Sequence, residues 1–280
     1  MRPLLVAAVL LAHPALAQPS NGVPVDRGAG LSLSAQWAVF NIGGGNPFGA
    51  TASAWTLGAT LEAGRGVRLT GEVPFAFATV DVVVTNSRGD VLAEETRTGS
   101  ALGAVQLGVE VDVAGPVTVG GAVRLPTASE GTSVEQVAAL DAGALTDLER
   151  PGAFASSAAT LAGWAEARLQ PARAVGVRLR VVPQVVAFPF VDGAGDAEGF
   201  LGTAAQVLYR VGRGRVGGGV TAITALGDDA DGVGEVSVGV LGDVPVGVVR
   251  VGVLGRLAVL GRLRDRVEGA LGLSVSYRGL

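Results

Sequence analysis

The chain has 280 residues, of which 49% are hydrophobic and 16% are charged, and its formal net charge is −4. A typical soluble domain has about 25% charged residues, so this chain is unusually poor in charge. The basic residues form no stripe, which excludes an electrostatic surface for nucleic acid. Because the chain contains no cysteine, disulfides and thiol chemistry are excluded as well.

Residues 1–17 have the pattern of a secretory signal peptide. Arg2 supplies the positive start, an apolar run follows, and a small-x-small cleavage site ends at Ala17. The run is shorter than the ~20 residues that a spanning helix needs, so a membrane anchor is the weaker alternative. In the expected mature chain, residues 18–280, the sole histidine, His13, is gone. We therefore expect no histidine-based catalysis, no histidine metal site, no cofactor and no enzyme activity.

From residue 30 onward, apolar and polar residues alternate with a period of two, which is typical of β-strands. Residues 102–113 show this most clearly, because Leu107 and valines share one face while Glu110 and Asp112 share the other. Twelve strands are predicted, at residues 30–40, 50–62, 66–78, 101–113, 117–126, 155–169, 174–188, 199–211, 215–226, 233–242, 246–260 and 266–278.

The connections between these strands alternate between tight turns and longer loops. The tight turns are predicted at residues 63–65, 114–116, 170–173, 212–214 and 243–245. Short turns on one side and long loops on the other are typical of outer-membrane barrels. A soluble β-sandwich or a lipocalin-like barrel would also alternate, but twelve strands exceed the eight of a lipocalin. The sequence predicts an all-β, antiparallel, up-and-down transmembrane barrel of about twelve strands in the bacterial outer membrane.

The face opposite the apolar one is expected to line the lumen. There its charges either form a salt-bridge network that fills the bore or act as a selectivity lining, whose excess of arginine would favour anionic solutes. The predicted lining residues are Arg68, Glu72, Glu110, Asp112, Arg124, Arg168, Arg178, Arg180, Arg210, Arg250 and Arg256. The same predicted face includes Gln106, Glu166, Gln206, Glu235, Glu268 and Arg278.

Two of the long connections carry further signals. In residues 127–154, Ser133 and Gln136 have the spacing of a capping box, which predicts a short helix over residues 137–148. That helix is expected either to decorate the surface or to form a constriction over the pore mouth. Residues 79–100 are predicted to extend the third and fourth strands beyond the membrane as a hairpin.

A glycine-rich motif lies between the eighth and ninth predicted strands and extends into the ninth. Residues 212–217 match the dinucleotide-binding pattern G-x-G-x-x-G. That pattern requires a preceding strand and a following helix, whereas a strand is predicted to follow here. We therefore interpret the motif as a tight turn and expect no dinucleotide cofactor.

Three apolar segments carry a family resemblance. Residues 69–75, 103–108 and 123–127 run in the order of strand motifs in the MetA-pathway phenol-degradation-like outer-membrane proteins, which this chain resembles. The resemblance implies a barrel that transports small hydrophobic compounds.

Two functions follow from these predictions. The first is a passive channel or transporter for small molecules, including hydrophobic ones, in contact with outer-membrane lipid. The second is a closed structural or adhesive barrel whose external loops, residues 79–100 and 127–154, bind a partner.

Overall fold

Strands make up most of the chain that the structure describes. The computed structural model describes residues 30–41, 49–85, 91–146, 153–187, 197–226, 234–261 and 267–278, so the predicted signal peptide, residues 1–17, lies outside the described residues. The elements are β1 (Gly30–Asn41), β2 (Gly49–Gly64), β3 (Val67–Thr85), β4 (Val91–Leu102), β5 (Gln106–Ala114), β6 (Val117–Arg124), α1 (Val134–Thr146), β7 (Ala159–Ala172), β8 (Val175–Ala187), β9 (Ala197–Val211), β10 (Gly214–Leu226), β11 (Glu235–Val246), β12 (Val249–Leu260) and β13 (Val267–Arg278).

The strands form one antiparallel sheet whose hydrogen-bonded ladders return to their starting point. Strand β1 pairs with β13 on one side and with β2 on the other, and β2 pairs with β3. Strands β4 and β5 pair with β3 one after the other, so they share one position in the wall. The wall therefore has twelve strand positions, as predicted. In hydrocarbon such pairing is required, because each backbone group without a partner costs several kcal/mol.

The break between β4 and β5 has a local cause. Pro74 on β3 has no backbone N–H to contribute to a ladder. At this level Gly103 N donates to Pro74 O at 2.7 Å, and Ala104 N donates to Ala153 O at 2.6 Å. The connection between β6 and β7 therefore supplies an acceptor for the N–H of Ala104 at this break.

The two faces of the sheet differ in exposure and in chemistry. On β5, Leu107 and Val113 are 57% and 60% exposed. On β3, Arg68 and Glu72 are buried, while Leu69 between them is exposed. The apolar face thus points outward around the wall, where it would form an unfavourably large apolar surface in water. We call the opposite, buried face the inner face.

The height of the apolar band fits a membrane. Phe77 lies ten residues from the start of β3. At about 3.4 Å per residue and a tilt of about 40°, this distance is about 26 Å, close to the ~25 Å of an outer-membrane band. Trp55 stacks on Phe75 with ring centroids 6.1 Å apart, and Phe75 meets Phe77 edge-on at 5.9 Å. Tyr209, 54% exposed, lies near the short-turn end.

The connections confirm most of the predicted pattern and correct one turn. Strands β3 and β4 extend as a hairpin through the described residues of the segment predicted for it, 79–85 and 91–100. The first four tight turns lie close to their predicted positions, but the turn predicted at residues 243–245 is wrong. The chain turns instead at Gly247, whose φ of 64° favours glycine. Strand β11 therefore continues through Pro245 and places Asp243 on the inner face.

An arginine placed on the outer face should test this orientation. Val240 lies in the middle of β11 and is 69% exposed, whereas Val248 lies in the tight turn and is 66% exposed. Because hydrocarbon solvates a guanidinium poorly, we expect Val240→Arg to destabilise the barrel by about 2–4 kcal/mol and Val248→Arg by about 0–1 kcal/mol. Urea unfolding in lipid vesicles, followed by tryptophan fluorescence, measures both losses. Equal losses would contradict a lipid-facing outer wall.

Candidate functional site

The first ionic group of the inner face is centred on Arg68. Its Nε lies 3.1 Å from a carboxylate oxygen of Glu110, and its two Nη atoms each donate to an oxygen of Asp112 at 2.9 Å. Strand pairing explains these contacts, because Arg68 lies directly opposite Glu110 in the ladder. Thr118 donates to Asp112 at 2.9 Å, and Trp164 Nε1 donates to Glu110 at 3.2 Å. One arginine is thus shared by two carboxylates.

The second ionic group is centred on Glu166 and has the opposite stoichiometry. Arg178 donates to Glu166 Oε2 from Nε at 2.9 Å and from Nη2 at 2.6 Å. Arg168 donates to the other oxygen of the same carboxylate. Nearby, the guanidinium carbon of Arg180 lies 5.5 Å from the ring centroid of Trp164, within the range of a cation–π contact. Here two arginines share one carboxylate.

The third ionic group repeats this arrangement on β10, β11 and β12. Arg215 Nε lies 3.0 Å from Asp243 Oδ2, and Arg250 donates to Oδ1 of the same carboxylate. The Asp243 side chain is fully buried, while both arginine side chains are 21% exposed. The carboxylate is therefore covered by the two guanidinium groups that it holds.

The remaining predicted lining residues lie outside these groups. Glu72 and Arg124 are each 4% exposed on the inner face, and both interact with other residues. Arg256 is half-buried on β12, and Arg210 is exposed near the short-turn end of β9. The structure thus brings Arg68, Glu110 and Asp112 together, and Arg168 together with Arg178, but leaves Arg210 at the edge.

Sequence reasoning missed four members of these groups, namely Thr118, Trp164, Arg215 and Asp243. Trp164 lies in phase with Glu166, so the alternation of β7 could have placed it on the inner face. Asp243 lies in phase with Leu241, but the segment that contains it was assigned to a turn. If the alternation of β11 had been continued through residues 243–245, it would have placed Asp243 on the inner face.

Helix α1 lies inside the barrel, against the inner face of β1 to β4. Ala139 is fully buried and Leu140 is 8% exposed, and both belong to one core cluster with alanines of the wall. A Cβ added at Gly99 on β4 would overlap the backbone of Glu135, so glycine lets the helix approach closely. Of the two interpretations of this loop, the surface decoration is wrong. The wall residues of the cluster are Ala52, Ala54, Ala76, Ala78, Val80, Ala101 and Ala270.

Both ends of the helix connection are anchored. Ser133 Oγ accepts from Gln136 N at 3.3 Å, as the capping box predicts. The Gln136 side chain accepts from Thr132 N at 3.1 Å, whereas a capping box would have it accept from Ser133 N. Between α1 and β7, Phe154 is 3% exposed, and a Cβ added at Gly143 would lie 2.6 Å from its ring. Phe154 therefore packs inside the barrel and holds the helix in place.

The size of the ring indicates how much space α1 takes. Twelve strands spaced about 4.8 Å apart and tilted about 40° form a backbone ring of about 12 Å radius. A helix with its side chains is about 10–12 Å across, about half the width of that ring. Helix α1 therefore narrows the long-loop half of the interior.

No group of three or more His, Cys, Asp or Glu that could hold a metal ion occurs in the described part of the chain. Within the same ranges, no helix combines the length and the apolarity that crossing a membrane requires.

The barrel is similar to solved outer-membrane structures. The COG4313 outer membrane channel from Pseudomonas putida F1 is 10% identical over 93% of this chain and 98% of that chain, with a TM-score of 0.55. The β domain of the Bordetella autotransporter BrkA is 11% identical over 90% of this chain and 100% of that chain, with a TM-score of 0.53. No family model and no curated protein matches the sequence. The likeness shows the fold, an outer-membrane β-barrel.

Proposed function

We propose that this barrel is a passive, non-catalytic channel for small molecules, including hydrophobic ones. The observation that carries the proposal is the direction of the ion pairs in the three ionic groups of the inner face. Arg68 pairs with β5 from β3, and Arg178 pairs with β7 from β8. Asp243 pairs with both neighbours of its own strand. These pairs join adjacent strands, so the charged groups stay at the wall and the bore between them is not bridged by these pairs. In a closed structural barrel, we would expect ion pairs that cross the bore.

The two halves of the interior suit different parts of the task. The long-loop half is apolar and narrowed by α1, which favours small solutes with apolar surface. The short-turn half is ionic, and there the predicted residues would act as the lumen lining. The likeness to an outer membrane channel supports this assignment. The resemblance to phenol-degradation-like proteins favours hydrophobic solutes.

A second candidate is a barrel whose external hairpin binds a partner. Val91 and Leu92 at the start of β4 are 57% and 65% exposed. They lie on the part of the hairpin that extends past the aromatic residues of the apolar band, so we expect them to lie beyond the lipid. An exposed apolar strand end of this kind favours a contact with another molecule.

Two measurements separate these candidates. For a channel, we expect purified protein to produce discrete conductance steps in planar bilayers, and proteoliposomes to swell in arabinose. We also expect expression of the protein to raise Nile red uptake in cells whose outer membrane otherwise excludes the dye. Absence of conductance, swelling and dye uptake would contradict the channel and favour the partner-binding barrel. Empty vesicles and cells carrying the empty vector are the controls.

A further inference from the structure

The inner face is electrically uneven around its circumference. On β7, β8, β10, β11 and β12, the two shared carboxylates and the cation–π contact bring together five arginines and two carboxylates, a formal excess of three positive charges. On β3 and β5, the group around Arg68 has one arginine and two carboxylates, an excess of one negative charge. We call the first set, Arg168, Arg178, Arg180, Arg215 and Arg250 with Glu166 and Asp243, the arginine face.

Each half of the arginine face has an apolar cluster directly on its long-loop side. Beside Glu166 and Arg180, the next inward positions are Trp164 and Val182, which pack together with a buried alanine. This order, with guanidinium groups nearer the short turns and apolar side chains nearer the long loops, occurs at two places on the wall.

The second cluster follows the same order. Beside Asp243, the next inward position is Leu241, which packs with Leu254 of the neighbouring strand β12 and with Leu208 of β9, two strands away. A solute that enters past α1 would therefore meet apolar side chains first and guanidinium groups next. This order fits a solute with an apolar body and a negatively charged leading group.

We propose, on the basis of the channel function above, that the pathway is selective for amphipathic monocarboxylates. The guanidinium fork matches a carboxylate through two parallel hydrogen bonds, and arginine remains charged at every physiological pH. With five arginines and two carboxylates, the arginine face has a formal excess of three positive charges, which attracts an anion. The apolar clusters provide contact area for a ring or a short alkyl chain. Benzoate has both parts and is the probe of choice.

The decisive variant removes one arginine from each shared carboxylate. In Arg168→Gln/Arg250→Gln, Glu166 keeps Arg178 and Asp243 keeps Arg215, so neither buried carboxylate loses all its partners. The matched control is Arg97→Gln/Arg173→Gln, which removes two arginines at exposed positions on the hairpin and in a tight turn. Heat-modifiable migration on gels checks that both proteins fold.

Zero-current potentials across planar bilayers, under a gradient of potassium benzoate, report the benzoate-to-potassium permeability ratio. We expect a ratio above one for the unaltered protein and for the control variant. Because local counter-ion concentration follows the charge of the wall, we expect the ratio to fall on the order of threefold in Arg168→Gln/Arg250→Gln. A ratio at or below one in the unaltered protein, or no change in the variant, would overturn the proposal and leave the channel function standing.

A comparison of benzoate with acetate tests whether the apolar clusters contribute to selectivity. With potassium acetate in place of benzoate, we expect a lower anion permeability, and we expect Leu241→Ser to reduce the difference between the two anions. Equal permeability for acetate and benzoate would overturn the preference for amphipathic solutes. In Ala139→Asp, helix α1 is expected to move away from the wall and open the bore. If neither salt produces conductance in the unaltered protein or in this variant, the proposed channel function fails as well.

Discussion

Ala139→Asp should raise the single-channel conductance on the order of threefold, because a helix takes about half the width of a twelve-stranded ring. Ala139 is fully buried where α1 meets the alanines of the wall. A carboxylate at this position would lose its hydration without gaining a cation, at a cost of several kcal/mol. Moving the helix out of the bore avoids that cost. Planar-bilayer recordings of both proteins measure the change.

Val137→Asp is the matched control for this experiment. Val137 lies on the same helix and is 44% exposed, so its replacement adds the same charge without burying it. We expect Val137→Asp to conduct like the unaltered protein. A variant that replaces residues 132–146 with a short Gly-Ser linker should conduct at least as well as Ala139→Asp. If Ala139→Asp and the deletion both conduct like the unaltered protein, α1 is not the constriction.

Arg68→Ala should destabilise the barrel by about 3–5 kcal/mol, the usual cost of removing one partner from a buried ion pair. The Arg68 side chain is 7% exposed and binds Glu110 and Asp112, so its loss would leave two carboxylates facing each other. Urea unfolding in vesicles measures the free energy of unfolding. Trp164, which donates a hydrogen bond to Glu110, reports locally through its fluorescence.

Two further variants separate the ion pair from general damage. Arg97→Ala removes the arginine of an exposed pair with Glu95 on the hairpin, and we expect no measurable change in the unfolding midpoint. The triple variant Arg68→Met/Glu110→Gln/Asp112→Asn removes all three charges together, and we expect it to recover most of the lost stability. If Arg68→Ala unfolds at the same urea concentration as the unaltered protein, the first ionic group does not stabilise the wall.

These expectations assign different roles to the two halves of the interior. The ionic groups join neighbouring strands near the short turns, so they would stiffen the wall there while keeping charge on its surface. Helix α1 is held mainly by small apolar contacts, which a single charge can disrupt. The short-turn half would thus set which solutes pass, and the long-loop half would set how wide the passage is.

The wall of the barrel could be derived from the sequence because strand chemistry is local. Residues of a strand alternate between two faces, so the period of two located the strands and identified Arg68, Glu110 and Arg178 as inward-facing. The capping pair Ser133 and Gln136 located the helix for a similar reason, since a cap involves only neighbouring residues. The turn at Gly247 was missed because Asp243 and Pro245 are also common in turns.

The sequence by itself determined that this chain forms a membrane barrel of about twelve strands with an ionic inner face. Only the tertiary structure decided which side chains meet on that face, because the ladder register selects the neighbours of each carboxylate. It also decided that α1 lies inside the barrel. A capped helix can pack wherever a complementary surface exists, and here that surface is assembled from alanines and a glycine on strands far apart in the sequence.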